Sequence, residues 1–257
     1  MQHWKKVKKQ WRLLSLLGGL SLSCVPHQHY VVKSIADSQV TIDSVWDKKA
    51  DPKLSDLIES YKAQMDSEMN KVVGTSTQML TVGFPQSRLS NFTADMMFTI
   101  SGEIWGDIDF ALINVGGLRS SLDQGEITVG ELYEIFPFEN RMVCLDMPGT
   151  AVMELFQSIA FKGGEGLSKN LQLTVKNRNV QSLEIGGKPL DEKKIYRVGT
   201  VDYVAEGNDG MIAFRKSINR IDSQETLRNM MIKYIQRLTG NNQEVNAELD
   251  NRITILQ

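Results

Sequence analysis

Three short loops hold the residues of this chain best suited to chemistry. The first is Asn114-Val115-Gly116-Gly117-Leu118-Arg119, which follows the apolar run Ile108 to Ile113. Glycines there let the backbone turn sharply or come close to a ligand, and Arg119 can present its planar fork to a phosphate. The second is Phe136-Pro137-Phe138-Glu139-Asn140. A ring held behind a proline can stack on a nucleobase, and an amide two residues on offers a donor and an acceptor to the base edge. The third is Tyr203-Val204-Ala205-Glu206-Gly207-Asn208-Asp209-Gly210, which sets a second aromatic six residues before a carboxylate in a glycine-rich turn. That pair suits the other face of the base and the hydroxyls of a sugar diol. Taken alone, each loop has a plainer reading: a glycine turn with a surface arginine, a core phenylalanine at a helix-to-strand corner, and a turn with an Asx-type aspartate.

The elements that must position these loops read as mixed α and β structure. Asp51-Pro52 predicts a helix start, and Leu54, Leu57, Ile58, Tyr61, Met65, Met69 and Val72 recur at helical spacing until Gly74, a stripe expected to face the core. Ser90 to Met97 starts a second helix, Ile108 to Ile113 forms a buried strand, and Thr128-x-x-Glu131 is a capping box for a short helix that Pro137 ends. Met142 to Met147 predicts a strand, Thr150 to Ala160 a helix, and Gly163 to Gly166 a flexible loop. Leu171 to Val175, Val180 to Ile185 and Ile195 to Val201 predict a meander, Ser223 to Leu238 a helix, and Ile253 to Leu256 a terminal strand. No repeat or linker interrupts residues 50 to 257, which read as one domain of about 200 residues.

The order and spacing of the three loops are more specific than any one of them. Together they resemble the C-terminal domain of the 5′-nucleotidase and UDP-sugar hydrolase family, whose patterns are N-x-G-G-I-R, P-F-G-N and a late aromatic-x5-D-G ending in G-G-D-G. The resemblance runs from about Leu54 to Phe214. It implies an α+β fold, a four-layer α/β/β/α sandwich that holds a nucleoside between two rings. By motif, Phe138 and Tyr203 would be the stacking pair, Asn140 the base reader, Asp209 the ribose ligand and Arg119 a phosphate contact. Gly164 would be a close backbone approach near the base. Family arginines also come from the segment ahead of Asn91-x-x-Ala94-Asp95, where Arg88 is the candidate. Three departures stand out: Tyr203 where phenylalanine is frequent, Asn208 for a glycine, and Glu139 for a glycine, which sets a negative charge beside the expected pocket.

Composition bounds the rest. After position 23 the chain carries 24 basic and 31 acidic side chains. That mildly acidic body argues against nucleic-acid binding, which draws on clustered Lys and Arg. His3, His27 and His29 are the only histidines, so the body offers none for a His-based triad or a typical zinc site. Full-length members of the family carry an N-terminal metallophosphatase domain, where two metal ions activate a water for attack on phosphorus. The resemblance therefore implies the substrate-recognition half of a split exported 5′-nucleotidase. This chain would need no cofactor or metal of its own, and the divalent metals would sit on a separate metallophosphatase chain. The alternative is a non-catalytic nucleoside- or nucleotide-binding lipoprotein.

The N-terminus reads as an address. Lys5 to Arg12 is basic, and Leu13 to Leu22 is an apolar run that ends at Ser23-Cys24. The run is too short for a helix spanning ~30 Å of hydrocarbon and matches a signal-peptide core. The residues before Cys24 resemble the lipobox of bacterial lipoproteins, with Ser21 where leucine is commonest. Cleavage there would leave Cys24 as the lipid-bearing first residue; plain secretion is the other reading. The chain is expected to comprise a signal peptide (1–23), a tether (24–45) and a folded domain (46–257), lipid-anchored in a bacterial cell envelope. Cys144, the second cysteine, reads as a buried small hydrophobe.

Overall fold

The computed structural model describes residues 32–45 and 51–256. The expected signal peptide, Cys24, most of the N-terminal half of the tether and all three histidines lie outside these residues. Residues 32–45 are exposed and form no helix or strand. A separate compact unit runs from Lys53 to the C-terminus.

Its elements begin with α1 (Pro52–Met69), β1 (Val72–Ser76), α2 (Arg88–Trp105), β2 (Phe110–Ile113), β3 (Gly125–Thr128) and α3 (Val129–Ile135). Next come β4 (Arg141–Pro148), α4 (Gly149–Lys162), β5 (Gly166–Leu167), β6 (Leu171–Lys176), β7 (Asn179–Ile185) and β8 (Lys188–Pro189). The last are β9 (Ile195–Val201), the one-turn α5 (Asp202–Ala205), β10 (Asn219–Thr226), α6 (Leu227–Gly240) and β11 (Ile253–Leu256). Strands β10-β4-β9-β2-β5 form a five-stranded sheet, β11-β6-β7-β8 a four-stranded one, and β1-β3 a ribbon. Helix α2 packs on β2 and β5, and α4 packs against both β4 and β7. The core includes fully buried Phe110 and Phe156, whose rings meet edge to face at 5.6 Å.

The register of the large sheet decides where the loops go. Strand β9 runs parallel to β2, with Ala111 opposite Gly199. It runs antiparallel to β4, with Met142 opposite Val201. Strand β10 is antiparallel to β4, with Thr226 opposite Arg141, and β5 is antiparallel to β2, with Gly166 opposite Ile113. One end of the sheet therefore gathers the C-terminal ends of β2, β9 and β10 and the N-terminal ends of β4 and β5. Residues 114–119, 136–140, 163–165 and 202–210, with the first turn of α6, all leave the sheet there.

Several expectations need correction. The α1 stripe does not face the core: no residue of α1 is buried, and Leu57, Ile58, Tyr61 and Met65 are each more than half exposed. Periodicity reports that a helix has an apolar face, and is silent on what covers it. The helix stops at Met69, and Val72 and Gly74 belong to β1. Ile195 to Val201 is no meander strand; it lies in the middle of the large sheet, where Val198 to Val201 are buried in succession, as in a strand covered on both faces. Gly166 is not in a flexible loop but pairs with Ile113. Thr128 caps α3 by accepting from Glu131 N–H, but the Glu131 carboxylate reaches Asp123 N–H at 2.7 Å, so the box stays half made. Helix α2 begins two residues early because Ser87 and Ser90 form the reciprocal cap. Residues 223–226 extend β10, and Thr226 caps α6.

Candidate functional site

A cleft of about 330 Å³ opens at the gathered end of the large sheet, lined by Asn114, Gly116, Gly117, Arg119, Phe138, Asn140, Tyr203 and Asp209. Five of the seven substrate-contact residues expected from the sequence therefore share one cavity: Arg119, Phe138, Asn140, Tyr203 and Asp209. The two rings stand about half exposed, Phe138 at 48% and Tyr203 at 44%, so aromatic surface remains open for stacking. The other two lie elsewhere. Arg88 opens α2 and does not line the cleft; its Nε is buried without a partner among the described residues. Gly164 is a close backbone approach, but to Pro85: with φ +130°, a Cβ there would lie 2.1 Å from the Pro85 carbonyl oxygen.

The loop after β2 packs on its own side chain. Asn114 is 2% exposed and donates from Nδ2 to the Asp209 carboxylate at 2.6 Å. A Cβ on Gly117 would meet Asn114 Oδ1 at 2.9 Å, so glycine is needed for the turn to close over this amide. Below it, Glu165 is completely buried, accepts from Val115 N–H and pairs with Lys162. Burial pushes the Glu165 carboxyl up, against the pull of Lys162 and of the Val115 N–H. Arg119 is exposed and pairs with no described carboxylate; its Nη1 approaches the Gly116 carbonyl at 3.4 Å. A guanidinium so placed is available to an anion.

Asp209 gathers the polar side of the cleft. It sits at φ +55°, in the left-handed region that Asp and Asn tolerate better than most side chains. It accepts from Asn114 and, at 3.2 Å, from the Tyr203 hydroxyl. The same carboxylate raises the Tyr203 phenol above its ordinary value. Tyr203 itself stands in α5 rather than in a loop. Its carbonyl accepts from Asn208 Nδ2 at 2.7 Å, so the asparagine that departs from the glycine pattern ties the turn to the ring-bearing helix.

The segment carrying Phe138 and Asn140 has no helical or strand hydrogen bonding and is fastened from outside. Arg228 Nη1 donates to the Phe136 carbonyl at 2.8 Å, Arg228 Nη2 pairs with Glu139, and Leu227 N–H donates to the Asn140 carbonyl at 2.8 Å. Glu139, expected to set a negative charge beside the pocket, points to Arg228 and is not among the residues that line the cleft. Sequence reasoning placed Asn114 in the first loop but gave it no role of its own, and it missed Glu165 and Arg228 as members of this assembly. Asn114 was within reach, since it directly ends a buried strand. The other two carried no motif signal.

No three described His, Cys, Asp or Glu side chains come together in a way that fits a metal ion. Nor is any described helix long and apolar enough to cross a membrane.

Comparison with known proteins places these features in a wider set. Residues 72–216 match the family model described as 5′-nucleotidase, C-terminal domain. The protein UshA of Yersinia enterocolitica is 30% identical over 169 residues, which are 62% of this chain and 30% of that protein. The NAD 5′-nucleotidase of Haemophilus influenzae is 26% identical over 219 residues, 73% of this chain and 36% of the relative. Among solved structures, a 5′-nucleotidase precursor from Thermus thermophilus superposes with a TM-score of 0.69 at 25% identity, covering 79% of this chain and 43% of its own. The chain spans about a third of the length of the curated relatives it matches.

Proposed function

This chain belongs to the 5′-nucleotidase C-terminal domain family, and from that premise we propose that it is the substrate-recognition half of an exported 5′-nucleotidase. The expected α+β class is borne out, with helices packed on sheets in the fold shared with the solved relatives. In this reading a nucleoside or nucleotide lies between Phe138 and Tyr203. Asn140 meets the base edge, Asp209 accepts from the ribose hydroxyls and Arg119 faces the phosphate. The metal-bearing phosphatase half is carried by another chain, and the lipid on Cys24 holds this one at the envelope.

The observation that carries the reading is the convergence of five motif residues from three distant stretches on one cleft. A scaffold kept only for its fold has no need of an open ring pair, an arginine without a described carboxylate partner and an oriented carboxylate in one cavity. The division of labour is supported by chemistry, since recognition and phosphoryl attack need different groups.

The test has two steps. Calorimetric titration with adenosine and AMP should give binding that is unaffected by a chelator. Adding this protein to a metallophosphatase from the same envelope should then change its rate or preference for AMP, read as phosphate released. Binding without any effect on phosphatases from that envelope would replace the split enzyme by the non-catalytic binder, and absence of binding would end both.

A further inference from the structure

Arg228 is placed where its own element does not favour it. It is the second residue of α6, and a cation in the first turn of a helix opposes the macrodipole. The residue is only 4% exposed, and its Nε is buried with no partner among the described residues. Burying a guanidinium is costly unless it is fully paired, yet its ion-pair partner, Glu139, has a side chain 74% exposed. Helix stability does not explain this arrangement.

What the side chain touches does. The guanidinium lies over the Tyr133 ring, its carbon 3.8 Å from the centroid. From there one nitrogen reaches the Phe136 carbonyl and another reaches Glu139. The two anchors bracket Phe138, and the neighbouring Leu227 N–H holds the Asn140 carbonyl. Phe138 is half exposed and so cannot be located by packing alone. Its position is set by what holds the backbone on either side of it.

We propose that Arg228 is a positioning residue for the cleft: from behind the wall, it fixes the segment that presents Phe138 and Asn140. The proposal rests on the nucleoside reading for its ligand, but the fixing of the segment can be measured without one.

The experiment pairs a binding cycle with hydrogen exchange on the intact protein. Adenosine is titrated into wild type, Arg228→Met, Arg228→Lys, Phe138→Ala and the Arg228→Met/Phe138→Ala double variant, below the melting temperature of each. Arg228→Met is expected to lower affinity about tenfold, in the range of one lost base–ring stack. Arg228→Lys should recover part of the loss, because an ammonium replaces the charge but not the planar fork. The double variant should lose less than the sum of the two single losses, since most of the Arg228 effect passes through that ring and only the share carried by Asn140 remains. Independently, the Phe136 and Leu227 amides, which donate to the Leu132 and Asn140 carbonyls at the two ends of the segment, should exchange faster in Arg228→Met without ligand, while those of β4 and β9 keep their protection. Additive losses in the double variant, or unchanged exchange at Phe136 and Leu227, would overturn the proposal. If wild type binds no adenosine but exchange rises as expected, the nucleoside reading falls and the positioning role stands.

Discussion

Phe138 and Tyr203 face one cleft, but the first is held from behind and the second from inside. The Phe138 segment is fastened by Arg228 and by the start of α6, and none of those contacts is offered to a ligand. Tyr203 is fastened through its hydroxyl to Asp209, the group assigned to the sugar. One wall is therefore built independently of the ligand, and the other shares a hydrogen-bond acceptor with it. A ribose diol that reaches Asp209 must compete with the phenol, whereas a base that reaches Phe138 competes only with water. The substitution of tyrosine for the more frequent phenylalanine creates this asymmetry.

The largest expected effect tests the independent wall. Phe138→Ala should cost about 1–3 kcal/mol of binding for adenosine, 2′-deoxyadenosine and 2′,3′-dideoxyadenosine alike, because stacking does not read the sugar. Calorimetry across the three ligands checks it, and a loss that depends on the diol would erase the contrast between the walls. Asp209→Asn comes next. Asparagine tolerates the left-handed backbone and keeps an acceptor for Asn114. The change from a charged to a neutral acceptor should weaken adenosine by about 1 kcal/mol and leave the dideoxy compound unchanged. A smaller change of opposite sign is expected for Tyr203→Phe, which frees one Asp209 oxygen: adenosine should bind tighter by about 0.5 kcal/mol and the dideoxy compound equally well. Equal shifts for both ligands would mean that the phenol does not compete with the sugar.

The same contrast separates what the chain could disclose from what it could not. The cleft-lining groups were legible because each belongs to a loop motif of fixed spacing, and the register of β2, β4 and β9 brings those loops to one end. What holds the walls was not. Arg228 lies 90 residues beyond Phe138 in a charged helix start, where nothing local distinguishes it from a solvated side chain. Glu165 hides among glycines, and only the pairing of β5 with β2 puts it under the first loop. The α1 stripe failed for the opposite reason, since a clear local pattern carried no information on its tertiary partner. Strand β9 was correctly recognised as a strand but given chain neighbours, whereas its hydrogen-bonding partners are strands far away in sequence.

The smallest effect on ligand affinity is expected at Glu165, which supports the first loop without facing the cleft. Its consequence is a pH dependence of stability. Burial raises the folded-state pKa of this carboxyl above the ordinary value of 4.5. Between that value and the raised one, the folded chain holds more proton than the unfolded chain, so stability falls as pH rises through the window and is flat above it. Glu165→Gln keeps a side chain of similar size and removes the titration. The stability of wild type relative to this variant should therefore decrease as pH rises from acid to neutral, by no more than about 1.4 kcal/mol per pH unit. Urea midpoints of the two proteins measured side by side check the sign. A relative stability that instead grows with pH would mean that Lys162 and the Val115 N–H outweigh burial, and that the first loop rests on a charged support.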